Sequence, residues 1–354
     1  MSKIKVCIVF GGKSPEHDIS LKSAVSVINN LDKDKYKPIF IGITKKGEWY
    51  LYSGKVENIE NDGWLKDKSK LKKAVISPDA KDKAILVFNG KEVKKIKPDI
   101  VFPVLHGENG EDGTIQGLLE LSGIKYVGMG VLSSAVAMDK AFAKIIFKNA
   151  QIPQADWEIV HKGELKEADC VCGRIEKKLG YPCFVKPCNT GSSVGVGKAH
   201  DRAELLSALE NAFLFDRKVI VEEYIDGHEV ECSVLGNEEP KAAEVGEIIP
   251  TVEFYDFDAK YVDSSTKLQI PAKLPAGTRS QIMSYAVEAF KAIDGKGLVR
   301  ADFFVKYSDG GVILNEVNTM PGFTNISMYP KLWDAAGVGY TELLDELIRL
   351  GMEA

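Results

Sequence analysis

The feature that most limits what this chain can fold into is the run of sequence at residues 298–330. It holds two strand-like segments, LVRADFF and VILNEVN, joined by an SDGG turn. Residues i and i+2 of a strand point to the same face, so Arg300 and Asp302 lie on one side of the first segment. Glu316 and Asn318 do the same on the second. We therefore predict a hairpin whose polar side chains gather on one face.

Three of these side chains, Asp302, Glu316 and Asn318, offer oxygen donors. Mg²⁺ prefers such donors and usually takes few of them from the protein, since water and phosphate oxygens complete its coordination. Apolar neighbours such as Phe303 and Leu314 make unpaired carboxylates costly here. The pattern predicts a magnesium site for nucleotide chemistry, with an ordinary hairpin that has a solvated polar face as the alternative.

Composition narrows the classes of function. The 354 residues, 45% of them hydrophobic, are enough for two or three domains. A net charge of −5 offers no basic surface to nucleic acid or to an anionic membrane. No apolar run reaches the roughly 20 residues of a membrane span, and the N-terminus lacks a signal-peptide pattern. The six cysteines have no metal-ligand spacing and indicate a reducing compartment. We expect a cytoplasmic protein that acts on small molecules.

The N-terminal part of the chain has the pattern of an α/β unit. A strand at residues 4–10 is followed by a Gly-Gly turn and by a helix predicted to begin near Asp18 or Ser20. Further strands are predicted at 37–44 and 98–104. The last strand places His106 at its carboxyl end, where open α/β sheets bind ligands. A histidine held by hydrogen bonds within a loop is the alternative.

The run CFVKPCNTGSSVGVGK places Lys186 at the end of a strand and before a glycine-serine turn. Backbone N–H groups in such a turn can hold phosphate, and a lysine adds a positive charge beside it. The run is not a P-loop, because Ser192 and Ala199 stand where a glycine and a hydroxyl-bearing residue are required. It predicts instead a loop between two strands that closes over phosphates.

The run KVIVEEYIDGHEVECSVLG brings together Glu222, Glu223 and Glu229 around an apolar strand. This is typical of a segment that connects two lobes and offers backbone groups to adenine and a carboxylate to ribose. A charged edge strand has the same pattern and is the alternative.

Residues 248–272 mix polar and aromatic side chains without a regular period. Irregular segments longer than ~12–15 residues inside compact domains are usually lids or linkers, and the aromatic content disfavours a solvated linker. We expect a lid that carries Lys260 and Tyr261 over the site and excludes water.

Two helices complete the prediction. One is expected at 135–150, after a domain boundary between about Gly128 and Ser134. The other, at 340–350, is expected on the surface with a structural role.

Nine motifs of the chain, in their order, closely resemble those of the D-alanine–D-alanine ligases of the ATP-grasp superfamily. They are GGKSPEHDIS, HGENGEDG, MDK, VKP, GSSVG, EEYIDGHE, FYDFDAKY, RAD and NEVNTMPGFTNIS. The resemblance runs from Ile4 to about Ile348 and covers nearly the whole chain. It implies an α/β, three-domain ATP-grasp fold. The implied domains are a Rossmann-like N-terminal domain at 1–130, a small α+β central domain at 131–217 and a larger α+β C-terminal domain at 218–354.

The resemblance also implies a reaction. The carboxylate of one D-alanine attacks the γ-phosphate of ATP, the amine of a second D-alanine attacks the resulting acyl phosphate, and phosphate leaves. Positioning and electrostatics supply most of the catalysis in such phosphoryl transfer. The implied setting is peptidoglycan precursor synthesis in the cytoplasm by a homodimer, with two Mg²⁺ ions for which Mn²⁺ can substitute.

On the nucleotide side, the resemblance implies that Asp302, Glu316 and Asn318 hold the metal ions. Lys140 and Lys186 would bind the α- and β-phosphates, and Lys260 the γ-phosphate. The rest of the implied nucleotide site consists of Glu229 at the ribose, backbone groups of Glu223 and Ile225 at adenine, and Ser193, Glu222 and Asn315.

On the substrate side, the resemblance implies that Glu16 binds the ammonium group of the first D-alanine. Arg300 and the Gly322 N–H would stabilise the oxyanion. Ser327 and Met328 would receive the carboxylate of the second D-alanine, and His106 lies among the substrate residues. Ser192 would link Glu16 to Tyr261 when the lid closes.

The identity of the acceptor stays open. Tyr261 in the FDAKY motif indicates an amine acceptor, but a pocket rejects one extra hydroxyl by only ~10², so D-serine is an alternative to D-alanine. Another ATP-grasp carboxylate–amine ligase would share the metal and phosphate residues but not Glu16, Tyr261 and Ser327 together. A non-catalytic nucleotide-binding module would have no reason to keep Arg300 with the acidic set. Cys188 departs from the family pattern and would react with thiol reagents if exposed.

Overall fold

The computed structural model describes residues 2–249 and 267–353, which form three β-sheets with helices packed against them. The predicted lid residues Lys260 and Tyr261 lie outside the described residues. Within the described part of the chain, no helix is long and apolar enough to cross a membrane.

The N-terminal sheet has seven strands, ordered β6-β5-β4-β3-β2-β1-β7. They are β1 (Ile4–Gly11), β2 (Tyr36–Ile43), β3 (Trp49–Tyr52), β4 (Leu71–Ile76), β5 (Ile85–Asn89), β6 (Glu92–Ile96) and β7 (Ile100–Pro103). β1 runs parallel to β2 and to β7. The loops that follow β1 and β7 therefore meet at one edge of the sheet, where ligands bind in folds of this kind.

The three strands predicted in this part of the chain, β1, β2 and β7, are confirmed. β3 to β6, which extend the sheet by antiparallel pairing, were not predicted. They are short, and the outermost strand, β6, has the sequence EVKKI with most of its residues exposed. β6 therefore lacks the apolar run or the alternation that makes a buried strand recognisable, and the apolar runs of β3 and β5 are only four residues long.

Four helices belong to this half of the chain: α1 (His17–Asn30), α2 (Thr114–Ser122), α3 (Val131–Met138) and α4 (Lys140–Asn149). The single helix predicted at 135–150 is wrong, because Asp139 separates α3 from α4. Asp139 has an extended backbone, and its side chain accepts a hydrogen bond from the N–H of Phe142 at 3.2 Å. An aspartate in this position ends one helix and caps the next.

The middle sheet has four antiparallel strands in the order β10-β9-β11-β8. They are β8 (Trp157–His161), β9 (Cys183–Pro187), β10 (Gly197–Ala199) and β11 (Lys218–Glu223), with helices α5 (Ala168–Lys178) and α6 (Arg202–Ala212). Residues 188–196 join β9 to β10, so the run after Lys186 is a loop between strands, as predicted. The boundary predicted at 217 falls too early, since β11 pairs with β8 and β9 in this sheet.

Among the described residues, the C-terminal sheet has five strands in the order β14-β13-β12-β15-β16. They are β12 (Gly227–Gly236), β13 (Lys241–Ile249), β14 (Lys267–Gln269), β15 (Gly297–Lys306) and β16 (Val312–Asn318). The accompanying helices are α7 (Ala276–Ala292), α8 (Met328–Ala335) and α9 (Tyr340–Glu353). Residues 224–226 connect β11 of the middle sheet to β12, which confirms that this segment leads from one lobe to the next.

Helix α9 is more than the surface element predicted for it. Leu343, Leu347 and Ile348 are buried in the same hydrophobic cluster as Val6 of β1 and Leu21 of α1. The spacing of these leucine and isoleucine residues gives α9 one apolar face, and that face packs against the N-terminal sheet. The N-terminal and C-terminal parts therefore share one core, which brings the loop after β7 beside the loop after β16.

Candidate active site

The polar side chains of the C-terminal hairpin share one face, as the sequence pattern predicts. In the register of β15 and β16, Arg300 stands opposite Asn318, and Asp302 opposite Glu316. The guanidinium of Arg300 donates to both oxygens of Asp302 at 2.7 Å. Asn318 Nδ2 donates to Asp302 Oδ2 at 2.9 Å. The carboxylate is thus matched by a cation in a bidentate, charge-assisted contact.

Glu231 on β12 joins this face and was not predicted. It stands opposite Asp302 in the register of β12 and β15, and its Oε2 lies 3.1 Å from Arg300 Nε. Arg300 therefore lies between two carboxylates. The i, i+2 spacing of Glu229 and Glu231 in HEVEC was the signal that could have found it.

A second charged group lies where the middle sheet meets β16. Lys186 Nζ donates to Glu222 Oε2 at 2.7 Å and approaches Asn315 Oδ1 at 3.4 Å. Lys144 Nζ lies 3.3 Å from the other oxygen of Glu222. Burial alone would raise the pKa of the Glu222 carboxyl, but the two ammonium groups outweigh it and lower this pKa to about 2. Glu222 is therefore a buried, ionised acid, and Lys144 is a site residue that the sequence motifs did not reveal.

The loop between β9 and β10 is fastened to the start of α4. The backbone N–H of Lys140 donates to the carbonyl of Cys188 at 3.0 Å, and its ammonium donates to the carbonyl of Thr190 at 2.6 Å. Ser192 and Ser193, with φ of 50° and 59°, both adopt the left-handed conformation that few residues other than glycine occupy. Two lysines, Lys140 and Lys186, are thus placed at this strained loop.

Glu16 lies at the start of α1 and contacts two other loops. Its Oε1 accepts a hydrogen bond from Ser192 Oγ at 2.5 Å. A Cβ added to Gly107, whose φ is 69°, would lie 2.2 Å from Glu16 Oε2. Glycine is therefore needed at this position of the HGENGEDG motif, both for its backbone and for the close approach of the carboxylate.

His106 binds protein groups through both ring nitrogens. Nδ1 lies 2.8 Å from the carbonyl of Met320, and Nε2 lies 3.0 Å from Ser23 Oγ. Burial lowers its pKa, so the ring is neutral and donates from Nδ1 to the carbonyl. These contacts match the loop-histidine alternative, because the residue holds the loop after β16 in place. The contact of His106 with substrate stays a prediction.

Glu111 is a further residue that was not predicted, although it lies within the HGENGEDG motif. Its two oxygens accept hydrogen bonds at 3.0 Å from the N–H groups of Gly107 and Met320. Burial, with the negative charge of Glu16 nearby, raises the pKa of Glu111 to about 8. The residue joins the loop after β7 to the loop after β16 and carries a proton through much of the neutral pH range.

Ser327, Gly322 and Met328 lie together at the start of α8. Ser327 precedes the helix, and its Oγ accepts from the N–H of Thr324 at 3.0 Å. A Cβ on Gly322 would lie 2.7 Å from Ser327 Oγ, so a larger residue would displace the hydroxyl. Met328 is buried beside them, where a Cβ added to Gly246 of β13 would lie 2.8 Å from its sulfur.

An apolar wall lies between the middle and C-terminal sheets. Ala155, Ile225 and Ile313 form a buried cluster against which Phe304 packs. Glu229 on β12 stands opposite Phe304 in the strand register. An apolar wall with a carboxylate at its edge can accept a flat base and a ribose.

Two families match nearly the whole of the chain. Residues 5–129 match the family described as D-ala D-ala ligase N-terminus, and residues 146–349 match D-ala D-ala ligase C-terminus. The chain belongs to the D-alanine–D-alanine ligase family. Members of this family are ATP-dependent ligases with the three-domain ATP-grasp fold.

Relatives of this ligase match over nearly their full lengths. A D-alanine–D-alanine ligase from Thermoanaerobacter sp. is 52% identical over 355 aligned residues, which cover 100% of this chain and 98% of the relative. The structure of the VanG D-Ala:D-Ser ligase from Enterococcus faecalis is 41% identical, with a TM-score of 0.90 and coverage of 99% and 100%. That of the D-alanine–D-alanine ligase from Coxiella burnetii is 35% identical, with a TM-score of 0.88 and coverage of 100% and 95%.

Cys188, which departs from the pattern of the D-alanine–D-alanine ligase family, does not lie on the surface of this member. Cys188 follows β9 and is fully buried, and burial raises the pKa of its thiol to about 12. The thiolate is the reactive form of cysteine, so the condition for reaction with thiol reagents is not met.

Proposed function

We propose that this ligase uses ATP to join two D-alanine molecules into D-alanyl-D-alanine through a D-alanyl phosphate, for peptidoglycan precursor synthesis. The observation that carries the proposal is the placement of Glu16 and Arg300. The charges of both act on the buried His106 and on the partly buried Glu111. An acidic and a basic side chain therefore lie near the same two residues. A zwitterionic amino acid presents an ammonium and a carboxylate, and this pair matches both.

On the substrate side, Glu16 binds the ammonium group of the first D-alanine, and its hydrogen bond from Ser192 fixes the orientation of the carboxylate. Arg300 and the Gly322 N–H stabilise the negative charge that develops on the attacked carbonyl. Ser327 and Met328 receive the second D-alanine. Its amine attacks the acyl phosphate carbon, the C–N bond forms, and the C–O bond to phosphate breaks.

On the nucleotide side, Lys140 and Lys186 bind the phosphates beneath the loop that carries Ser193. The apolar wall at Ile225 receives adenine, and Glu229 receives the ribose hydroxyls. The N–H of Glu223 already donates to the carbonyl of Asp156 at 3.0 Å, so its carbonyl is the group offered to the base. Lys260 and Tyr261, which lie outside the described residues, act from the lid.

Mg²⁺ ions fit the donor set of the hairpin face. Asp302, Glu316 and Asn318 supply carboxylate and amide oxygens from two paired strands, and these are the ligands that Mg²⁺ prefers. Bound Mg²⁺ supplies positive charge against the phosphates, so that an anionic carboxylate can approach them. Mn²⁺ has similar preferences and substitutes for it.

D-serine is a second candidate acceptor, favoured by the likeness to the VanG D-Ala:D-Ser ligase structure. A pocket that accepts the methyl group of D-alanine excludes one additional hydroxyl only weakly. The difference between the two activities is therefore expected in the ratio of products made from mixed substrates.

The test of the proposed function is phosphate release by the purified chain with ATP and Mg²⁺. D-alanine is offered alone and then with an equal amount of D-serine or D-lactate, and the products are identified by mass. We expect release that depends on D-alanine, with D-alanyl-D-alanine as the main product and no stimulation by L-alanine. A main product containing D-serine changes the acceptor, whereas phosphate release without a dipeptide refutes the proposal.

The ligase is proposed to work in the cytoplasm, where ATP is available, and as a homodimer. Light scattering of the purified chain tests the second point. A particle of twice the 38.9 kDa chain mass agrees with it, and a particle of the chain mass contradicts it.

A further inference from the structure

Lys144 on α4 carries an ammonium group that has no task in the reaction described so far. Its side chain is 3% exposed, and its Nζ lies 3.3 Å from Oε1 of Glu222, whose side chain is 5% exposed. On the opposite oxygen of that carboxylate, Oε2, Lys186 Nζ donates at 2.7 Å. One buried carboxylate is therefore held between two lysines.

Lys186 is needed in two places. In this structure its ammonium group binds Glu222 and approaches Asn315. A lysine ammonium has three N–H donors, so a phosphate does not have to displace Glu222, but it must compete with Glu222 for the positive charge of Lys186. An ionised carboxylate left in the interior without a cation is strongly unfavourable. Lys186 can be released toward a nucleotide only if another positive charge stays with Glu222.

We propose that Lys144 is that charge: a positioning residue that keeps Glu222 neutralised so that Lys186 can bind the nucleotide phosphates. Lys144 has little freedom to leave. The neighbouring α4 residues Ala143 and Phe147 are buried in the hydrophobic core of the C-terminal sheet. Among the described residues, its ammonium makes no hydrogen bond of good geometry, and the ion pair with Glu222 holds it.

The balance of charge in the cluster agrees with this division of labour. Two ammonium groups contact the one carboxylate of Glu222, and the more distant charge of Glu316 also acts on both lysines. Burial lowers the pKa of Lys144, Glu222 opposes this effect, and the charge of Lys186 adds to it. The two lysines thus repel each other, and the half-buried Lys186 is the one with room to move outward. Without Lys144, the ion pair with Lys186 is the one left to Glu222 among the described residues, and Lys186 is drawn to Glu222 instead of phosphate.

This inference rests on the proposed function, because it takes Lys186 to be a phosphate ligand. The test is calorimetric titration of the full chain, in Mg²⁺, with the non-hydrolysable ATP analogue AMP-PNP and separately with adenosine, which has no phosphates. The variants are Lys144→Met, Lys144→Arg, and Lys144→Met combined with Glu222→Gln. Lys148→Met is the matched control, since Lys148 is exposed one turn further along α4.

We expect Lys144→Met to weaken AMP-PNP binding by about tenfold or more and to change adenosine binding by less than about twofold. Lys144→Arg should keep most of the affinity, because it keeps the charge. The added Glu222→Gln change should restore the ratio of AMP-PNP to adenosine affinity, since Lys186 then has no buried carboxylate to neutralise. Lys148→Met should bind both ligands as the unmodified chain does.

Three results would overturn the inference. AMP-PNP affinity unchanged in Lys144→Met shows that Lys186 needs no help to leave Glu222. An equal loss of affinity for AMP-PNP and for adenosine shows that Lys144 supports only the fold. If the double variant has the same reduced ratio of AMP-PNP to adenosine affinity as Lys144→Met, Glu222 does not play the proposed role. If the unmodified chain itself fails to bind AMP-PNP, the proposed function fails first, and the inference falls with it.

Discussion

The hydroxyl of Ser192 donates a hydrogen bond to Oε1 of Glu16 at 2.5 Å across a sequence separation of 176 residues. Ser192 belongs to the loop between β9 and β10 of the middle sheet, and Glu16 directly precedes α1 beside the N-terminal sheet. The bond therefore joins the loop proposed to hold phosphate to the acid proposed to hold the first D-alanine. Binding of the two substrates should be coupled through it.

Ser192→Ala is expected to raise the KM for the first D-alanine and to lower kcat/KM by roughly 10- to 100-fold. A hydrogen bond to a charged group contributes about 1.5–3 kcal/mol, which corresponds to such a factor. Steady-state kinetics of Ser192→Ala, Glu16→Gln and the double variant measure the coupling. If the two losses are simply additive, the bond does not link the two residues in function.

His106→Ala is expected to lower the free energy of unfolding by about 1–3 kcal/mol, because it leaves the Ser23 hydroxyl and the Met320 carbonyl without their buried partner. Urea denaturation measures this, with the exposed His200→Ala as a control that should change stability by about 0.5 kcal/mol or less. If His106→Ala lowers the free energy of unfolding no more than His200→Ala does, His106 does not stabilise the contact between the loops.

The same histidine gives stability a pH dependence. Burial lowers the pKa of His106, so below about pH 6.5 the unfolded chain takes up a proton that the folded chain refuses. Its contribution is full above that pH and is lost as the pH falls. The unmodified chain should therefore lose more stability between pH 7 and pH 5.5 than His106→Ala does, and an identical slope would contradict the assignment.

Glu111 has the opposite effect on the pH dependence of stability, because its pKa is raised, whereas that of His106 is lowered. Its pKa is raised from 4.5 to about 8, so the folded state holds a proton that the unfolded state releases. The stability from this group is present below pH 4.5 and is lost as the pH rises toward 8. Glu111→Gln cannot titrate, so the unfolding free energy of the unmodified chain minus that of the variant should fall by about 1 kcal/mol or more from pH 5 to pH 8.5. A constant difference would show that Glu111 is ionised at neutral pH.

Local sequence pattern was enough to predict the strands and loops that carry most of the candidate site. The hairpin of β15 and β16 could be predicted because polar residues at i and i+2 flank an SDGG turn within one short run. The loop after Lys186 could be predicted because glycine and serine separate two apolar segments. In contrast, β3 to β6 extend the sheet with short strands whose pairing depends on neighbours that the local pattern does not reveal.

The residues that were missed depend on contacts between distant parts of the chain. Glu111 accepts a hydrogen bond from Met320, 209 positions away. Lys144 lies on an amphipathic helix, where a buried lysine cannot be told from an exposed one until Glu222 is placed beside it. The burial of α9 has the same origin, since its apolar face needs a partner that only the assembled N-terminal core provides.

Asp302→Asn is expected to lower kcat by ~10² or more, because it weakens both the contact to Arg300 and the proposed metal site. Asp309→Asn in the turn of the same hairpin is the matched control, since Asp309 is exposed and accepts a hydrogen bond from the Gly311 N–H within the turn. EDTA should abolish turnover, and Mg²⁺ or Mn²⁺ should restore it. Full activity in EDTA would exclude a metal at this face.

Native alkylation should spare Cys188 and leave activity intact. Cys188 is fully buried, and its thiol pKa is raised to about 12, whereas Cys170 is exposed. Iodoacetamide treatment at pH 8 followed by peptide mass spectrometry should find the label at Cys170. Label at Cys188 that increases in step with the loss of activity would contradict the packing around β9.

The central claim is that a D-alanine carboxylate attacks ATP and that the resulting phosphate leaves when the dipeptide forms. D-alanine labelled with ¹⁸O in its carboxylate tests it most directly, in a reaction with unlabelled ATP and Mg²⁺. The account predicts one ¹⁸O atom in each phosphate released, because the attacking oxygen stays with phosphorus when the C–O bond breaks. Dipeptide formation with unlabelled phosphate would contradict it.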